Sequence, residues 1–197
     1  MSIIFTMNHL KVNIKPKKFA TISILILFTI SFAFIPIFEK TFIYPLRYKE
    51  EVFEFSAEFD LPPTLIFAII KVESSFDKTS ESDVGAKGLM QITDKTGAYI
   101  ASLLSIEYYD LFDAKTNVKF GCFYIKYLID RFYFIDTVIC AYNAGEGNVA
   151  SWLKNPQYST DKKTLNHIPF YETRQYLKKI KKSFSKYQKL YRNILDK

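Results

Sequence analysis

From residue 46 onward, apolar residues recur mostly at steps of three and four, the spacing that lines one face of a helix. "LRYKEEVFEFSAEF" (46–59) sets Val52, Phe55, Ala57 and Phe59 among charges and predicts a first amphipathic helix. "DLPP" interrupts it. Asp60 suits an N-cap, and the prolines suit a helix's first turn, where no intrahelical N–H partner is needed. A second helix then runs to about Ser74. "SESDVGAKGLMQIT" (80–93) is turn-rich and then briefly apolar, predicting a loop with a short strand or hairpin. Asp94–Leu104 reads as a short helix, "IEYYDLFDAKTN" (106–117) as a surface connection, and Val118–Phe132 as a helix with Phe120, Tyr124, Tyr127, Leu128 and Phe132 on one side. Asp136–Tyr142 is another short helix, ended by "NAGEG", and Asn148–Leu153 starts one more turn. A polar loop, "KNPQYSTDKKTLNHIP" (154–169), precedes a last helix from Glu172. There Leu177, Ile180, Phe184, Tyr187, Tyr191 and Ile194 form the apolar stripe and lysines the opposite face.

Phe19–Phe38 breaks the pattern with an uncharged apolar run behind Lys11, Lys15, Lys17 and Lys18. About 20 such residues suffice for a membrane-spanning helix, whereas the apolar part of a signal peptide needs only ~7–15. The length favours an uncleaved anchor over a cleaved signal segment, and either reading exports the rest of the chain. The expected organisation is a cytoplasmic basic N-terminus (1–18), a transmembrane anchor (19–38), a globular body (39–177) and a basic amphipathic C-terminal helix (178–197).

Charge follows these divisions. The net charge is +7 over 197 residues, yet the four N-terminal lysines and a tail of eight basic residues and one acid leave 39–177 mildly acidic. That excludes a uniformly basic nucleic-acid binder and leaves the tail as a candidate surface for anionic lipid or cell-wall polymer. Cys122 and Cys140 allow one disulfide or two buried thiols. The two histidines, His9 and His167, fall on opposite sides of the apolar run, so no metal site is expected. Four of six glycines sit in two short segments, "GAKG" (85–88) and "AGEG" (144–147), which suggests a cleft bounded by two turns.

One acid stands out. In "IFAIIKVESSFD" (66–77), Glu73 is the helical neighbour of Ile66, Ile69 and Ile70. A carboxyl at the end of an apolar stripe, near a helix C-terminus, is pushed toward its neutral form by desolvation and by the helix dipole. An acid protonated near neutral pH is what general-acid catalysis requires. From spacing alone, the alternative that the stripe has ended and Glu73 faces solvent stays open.

"VESSF" (72–76), "GAKGLMQIT" (85–93), "AYNAGEGNV" (141–149) and "ETRQYL" (172–177) occur in that order. Together they resemble the catalytic domain of the soluble lytic transglycosylase family, from about Tyr44 to Tyr176. "LFDAKTNVKFGCFYIKYL" (111–128), with Asn117 and Gly121, is similar to that family's connecting segment.

The resemblance implies a predominantly α, lysozyme-like (α+β) fold of the goose-type kind, with a hairpin at the cleft. It implies cleavage of the β-1,4 bond between N-acetylmuramic acid and N-acetylglucosamine in peptidoglycan, with no cofactor or metal. Glu73 would be the sole acid/base, and the muramyl 6-hydroxyl would attack to give a 1,6-anhydro product. Ser74 would contact the site. Gly88, Leu89, Met90 and Gln91 would form one side of the groove, with Gln91 hydrogen-bonding the sugar and Met90 offering it an apolar face. Ala141, Tyr142 and Asn143 would face Glu73, and Tyr176 would close the site beside it. Glu172 and Arg174 would make a structural ion pair. Asp83, an extra acid in its loop, and Asp94 read as loop or capping residues. They would matter only if water attacked instead, as in a muramidase. A catalytically inactive cell-wall-binding protein is the remaining alternative.

Overall fold

The computed structural model describes residues 34–195 together with residues 25, 28, 31 and 32. The basic N-terminus (1–18) and much of the expected span (19–38) lie outside the described residues. Among the described residues no helix is long and apolar enough to cross a membrane. The chain divides into two units, 1–43 and 44–197. In the first, the described residues 34–38 are helical and continue into a π-helical turn, Glu39–Ile43, with no buried residue.

The second unit holds seven helices and one hairpin among the described residues. Helix α1 (Lys49–Glu58) buries Val52 and Phe55. Asp60 does not cap the following helix. It adopts a left-handed φ of 53° and ends α1, with the Leu61 N–H reaching back to Ser56 O and the Asp60 N–H to Ala57 O. This pair of bonds is a Schellman closure. Pro62 then occupies the cap of α2 (Pro63–Glu73) without a side-chain bond. Helix α2 is buried from Thr64 through Ile70, as expected of a helix apolar on all sides.

Strands β1 (Ala86–Lys87) and β2 (Ile92–Thr93) pair antiparallel as a minimal hairpin. Helix α3 (Asp94–Leu104) follows, capped by the Thr93 side chain. Helix α4 (Ala114–Phe132) starts four residues before Val118, because the Asp113 carboxylate accepts the Thr116 N–H and nucleates an extra turn. Helices α5 (Ile135–Ala144) and α6 (Glu146–Lys154) share Gly145 as end and start. Helix α7 (Tyr171–Leu195) is one element with non-helical geometry at Tyr191, so the boundary expected after residue 177 falls inside it.

Helix α2 lies along α7, α1 packs on α4, and α5 is enclosed by α4, α6 and α7. The core therefore surrounds α2. Tyr187 is fully buried between the Phe67 ring, stacked at 5.6 Å, and the Tyr44 ring, edge-on at 5.5 Å. Cys122 and Cys140 are buried free thiols, both pushed up in pKa by burial. Of the expected tail stripe, Ile180, Tyr187 and Tyr191 are buried, whereas Ile194 is 53% exposed.

Candidate active site

Glu73 is the last residue of α2, so its position is set by the most buried helix of the fold. Burial raises its pKa from 4.5 to about 7. The Tyr176 hydroxyl, donating to Glu73 Oε1 at 2.5 Å, offsets part of that rise, and the negative charge of Glu172 adds to it. Glu73 is partly buried, and the desolvation of its carboxyl shifts its titration toward neutral pH. The chain turns sharply after it. Ser75 and Phe76 both have positive φ, 51° and 67°, a conformation that bulky side chains rarely adopt. Phe76 remains buried against Phe67.

The hairpin side of the site is held by side chains bonded to backbone. Ser74 Oγ donates to Leu89 O at 2.8 Å, tying the end of α2 to the hairpin loop. Asn117, fully buried on α4, accepts the Met90 N–H at 2.7 Å and donates to Lys87 O and Leu111 O at 2.8 and 2.7 Å. Gly88 packs onto this staple at φ 75°: a Cβ there would lie 2.3 Å from Leu111 O and 2.4 Å from Asn117 Nδ2. Gly121 does the same for Met90, since a Cβ would stand 2.2 Å from its sulfur.

The helical side is contributed by α5 and α7. Tyr142 donates to Met90 O at 2.8 Å, joining the two sides across the site. Its pKa is pushed well above 10, first by burial and then by the charge of Glu73. Tyr176 is raised likewise and by the same two causes. Thr173 on α7, buried, donates to Asn143 Oδ1 at 2.7 Å and so fixes α5 to the helix that carries Tyr176.

Three hydrogen bonds, Tyr176 to Glu73, Ser74 to Leu89 and Tyr142 to Met90, thus tie these residues together through the chain neighbours 73/74 and 89/90, with Gly88, Gln91 and Asn143 adjacent in sequence. Several anticipated contacts change character. Leu89, Met90 and Ala141 are fully buried, so Met90 presents no apolar face to a groove. It fills the space left by Gly121 and contributes its backbone carbonyl instead. The Gln91 amide N–H groups are committed to Ser80 O and Gly88 O, leaving its carbonyl oxygen as the group that can meet a ligand. Glu172 and Arg174 do not pair. Two residues apart on a helix they diverge, and Arg174 donates to Ile168 O and Pro169 O at 2.6 and 2.9 Å. Asp94 is bound by Lys87 at 2.9 Å, and Asp83 is exposed.

Asn117 and Thr173 are the positioning residues to which sequence reasoning assigned no role. Asn117 is signalled only through the resemblance of residues 111–128 to the family's connecting segment, because the local pattern puts it at the end of a surface connection.

Residues 51–165 match the family description "Transglycosylase SLT domain", more than half of the chain. The chain belongs to the transglycosylase SLT domain family. Glu73, the hairpin and the α5 residues of the site fall inside the SLT match, whereas Tyr176 follows it on α7. The soluble lytic murein transglycosylase of Escherichia coli K12 is 34% identical over 146 residues, covering 70% of this chain and 22% of that protein. A membrane-bound lytic murein transglycosylase C of Photorhabdus laumondii is 29% identical over 62% of this chain and 36% of its own length. The crystal structure of the 70 kDa soluble lytic transglycosylase of Escherichia coli superimposes with a TM-score of 0.65 at 31% identity. That match covers 74% of this SLT chain and 25% of the Escherichia coli one. This chain therefore spans about a quarter of the length of the Escherichia coli relatives.

Proposed function

We propose that this SLT domain is a peptidoglycan lytic transglycosylase that cleaves the MurNAc-β-1,4-GlcNAc bond with Glu73 as its single acid/base. The observation that carries the reading is a carboxyl with a pKa of about 7, hydrogen-bonded by one buried tyrosine. In its protonated form, which a pKa of about 7 keeps populated near neutral pH, Glu73 gives its proton to the glycosidic oxygen as the bond to the muramyl C1 breaks. The carboxylate formed is stabilised by the Tyr176 hydroxyl. It then takes the proton of the muramyl 6-hydroxyl as that oxygen bonds to C1. One bond breaks and one forms, the proton returns to Glu73, and no water is consumed. The 1,6-anhydro ring is the expected product.

Neither Asp83 nor Asp94 is supported as a water-activating carboxylate. Asp94 is held by Lys87, and neither Asp83 nor Asp94 is among the charges that act on Glu73. Ser74, Gly88, Gln91 and Asn143 are proposed to line the sugar site, with Leu89, Met90 and Ala141 supporting them from the core. A longer polymer has a path outward from Tyr142. The rings of Tyr124, Tyr127 and Tyr99 follow in contact at 5.7, 6.0 and 5.9 Å, and Tyr124 and Tyr99 border a hollow of about 480 Å³ that also meets Lys95, Arg131 and Glu146. Tyrosine faces suit sugar rings, and the charged groups suit hydroxyls and amides. Residues 19–38 are proposed to anchor the domain on the outer face of the cytoplasmic membrane, with the basic tail toward anionic lipid or cell-wall polymer.

The test is mass spectrometry of the soluble products released from purified peptidoglycan by the full chain and by Glu73→Gln. The expected result is muropeptides lighter by one water than hydrolytic products, absent with the variant. Reducing-end muramic acid would instead mean that water attacks, and silence from both proteins would favour a binding role.

A further inference from the structure

We propose that the exposed basic face of α7 is a docking surface for anionic lipid headgroups, and that α7 lies along the bilayer with the active site above it. The inference rests on the reading of residues 19–38 as a membrane anchor and deepens it by naming the surface that meets the lipid.

Two ends of α7 are fixed by hydrogen bonds. Near its N-terminus Tyr176 holds Glu73. Near its C-terminus, Tyr187 donates to Pro45 O at 3.1 Å and Tyr191 to Tyr44 O at 2.7 Å, so the start of the globular unit is fastened to this end of the helix. Tyr44 is only six residues beyond Phe38, the end of the apolar run. Six residues reach at most roughly 20 Å when fully extended. An anchored chain therefore keeps the C-terminal half of α7 close to the headgroups.

The face that α7 offers there is cationic. Lys178, Lys182 and Lys189 are exposed and fall within about 40° of one line along the helix at 100° per residue, with Lys179 and Arg192 beside them. That line is opposite the buried Ile180 and Tyr187, which bind α7 to the body. Glu172 is the only acid among residues 171–195, and Lys181 is turned aside, to Asp136 at 2.7 Å. Tyr176 lies on the buried side, so Glu73 sits about one interhelical distance, roughly 10 Å, on the far side of α7 from the proposed lipid. Each lysine near an anionic surface strengthens partition about fivefold, so the face as a whole contributes on the order of a hundredfold or more.

The full chain, reconstituted in nanodiscs of phosphatidylcholine alone or mixed with phosphatidylglycerol, can be treated briefly with a water-soluble amine-acetylating reagent. Acetylation is then read site by site by mass spectrometry. Lys178, Lys182 and Lys189 are expected to be protected severalfold in the anionic discs at low salt and to lose that protection at high salt. Lys162 and Lys163, exposed in the polar loop, serve as internal references. Equal labelling in the two lipids would overturn the proposal, as would protection only on adding a soluble glycerophosphate polymer, the chemistry of an anionic cell-wall partner. Flotation of the full chain with neutral vesicles at high salt reports the anchor separately. A chain that fails to float refutes the anchor, whereas one that floats without protection refutes only the lipid face.

Discussion

The two sides of the site are held by different kinds of bond. On the hairpin side, apart from the outer Lys87–Asp94 ion pair, the staples run from a side chain to backbone: Asn117 to residues 87, 90 and 111, Ser74 to Leu89, Gln91 to Ser80 and Gly88. On the helical side the staples join side chain to side chain, Thr173 to Asn143 and Tyr176 to Glu73. The first set consists of neutral dipoles and fixes a shape that does not change with pH. The second ends on an ionisable group and so carries the titration. A loop without regular structure needs backbone-directed staples, because its N–H and C=O groups are otherwise unpaired in the core. Helices satisfy their own backbone and leave their side chains for chemistry.

The two glycine pairs repeat the contrast. Gly88 has both a positive φ and no room for a Cβ, whereas Gly145 has φ 85° with open space around its missing side chain. Of these four glycines only Gly88 is part of a packed staple, since Gly85 also has open space around it.

The largest expected effect follows from Asn117→Ala. It removes three bonds at once and leaves the Met90 N–H and two carbonyls unpaired beside a cavity. Each buried orphan costs about 1–3 kcal/mol, so a loss of roughly 4 kcal/mol is expected in urea unfolding. Activity should fall with it. If stability drops by less than about 1 kcal/mol, the hairpin is held by something other than this amide.

Glu73→Gln tests the titrating side next, and the sign is opposite. The folded state holds the Glu73 proton more tightly than the unfolded chain does. The stability this contributes is complete below pH 4.5 and is lost as pH rises to about 7. A shift of that size corresponds to about 3 kcal/mol. Glutamine is spared the loss. The variant should therefore be inactive, yet gain about 3 kcal/mol over the parent at about pH 8 relative to its standing at acid pH. Denaturant unfolding at two pH values reads this directly, and a difference that does not change with pH would mean the carboxyl is solvated.

Much of this division was legible in the sequence. Three- and four-residue steps located the helices, and the same steps set Glu73 against Ile66, Ile69 and Ile70. The turn-rich stretch ahead of "LMQIT" marked the hairpin. What escaped was non-local or depended on backbone conformation. Asn117 bonds an N–H 27 residues away, and no local pattern reports that. Met90 reads as a groove residue because its sequence neighbours do not reveal the space that Gly121 leaves for its sulfur. Asp60 looks like a cap for the helix after it because aspartate favours caps, but the left-handed turn it also tolerates closes the helix before it. Glu172 and Arg174 look like a pair in sequence, and their spacing of two on a helix separates them.

Tyr176→Phe gives the smallest and most discriminating effect. Tyrosine and phenylalanine pack alike, so the fold should hold and the carboxyl should stay buried. What disappears is one hydrogen bond that favours the charged form of Glu73. Desolvation then acts with less opposition, and the pKa of Glu73 rises above about 7. The alkaline limb of the pH–rate profile should move up by about one pH unit, while the maximal rate falls because the carboxylate formed in the first step loses its donor. A merely structural tyrosine would lower the rate at every pH without moving the limb. A shift to lower pH would contradict the sign of the Tyr176–Glu73 interaction itself. It would mean that the hydroxyl accepts a hydrogen bond from the O–H of a neutral Glu73 instead of donating to the carboxylate, and the acid would then owe its protonated state to Tyr176 as well as to burial.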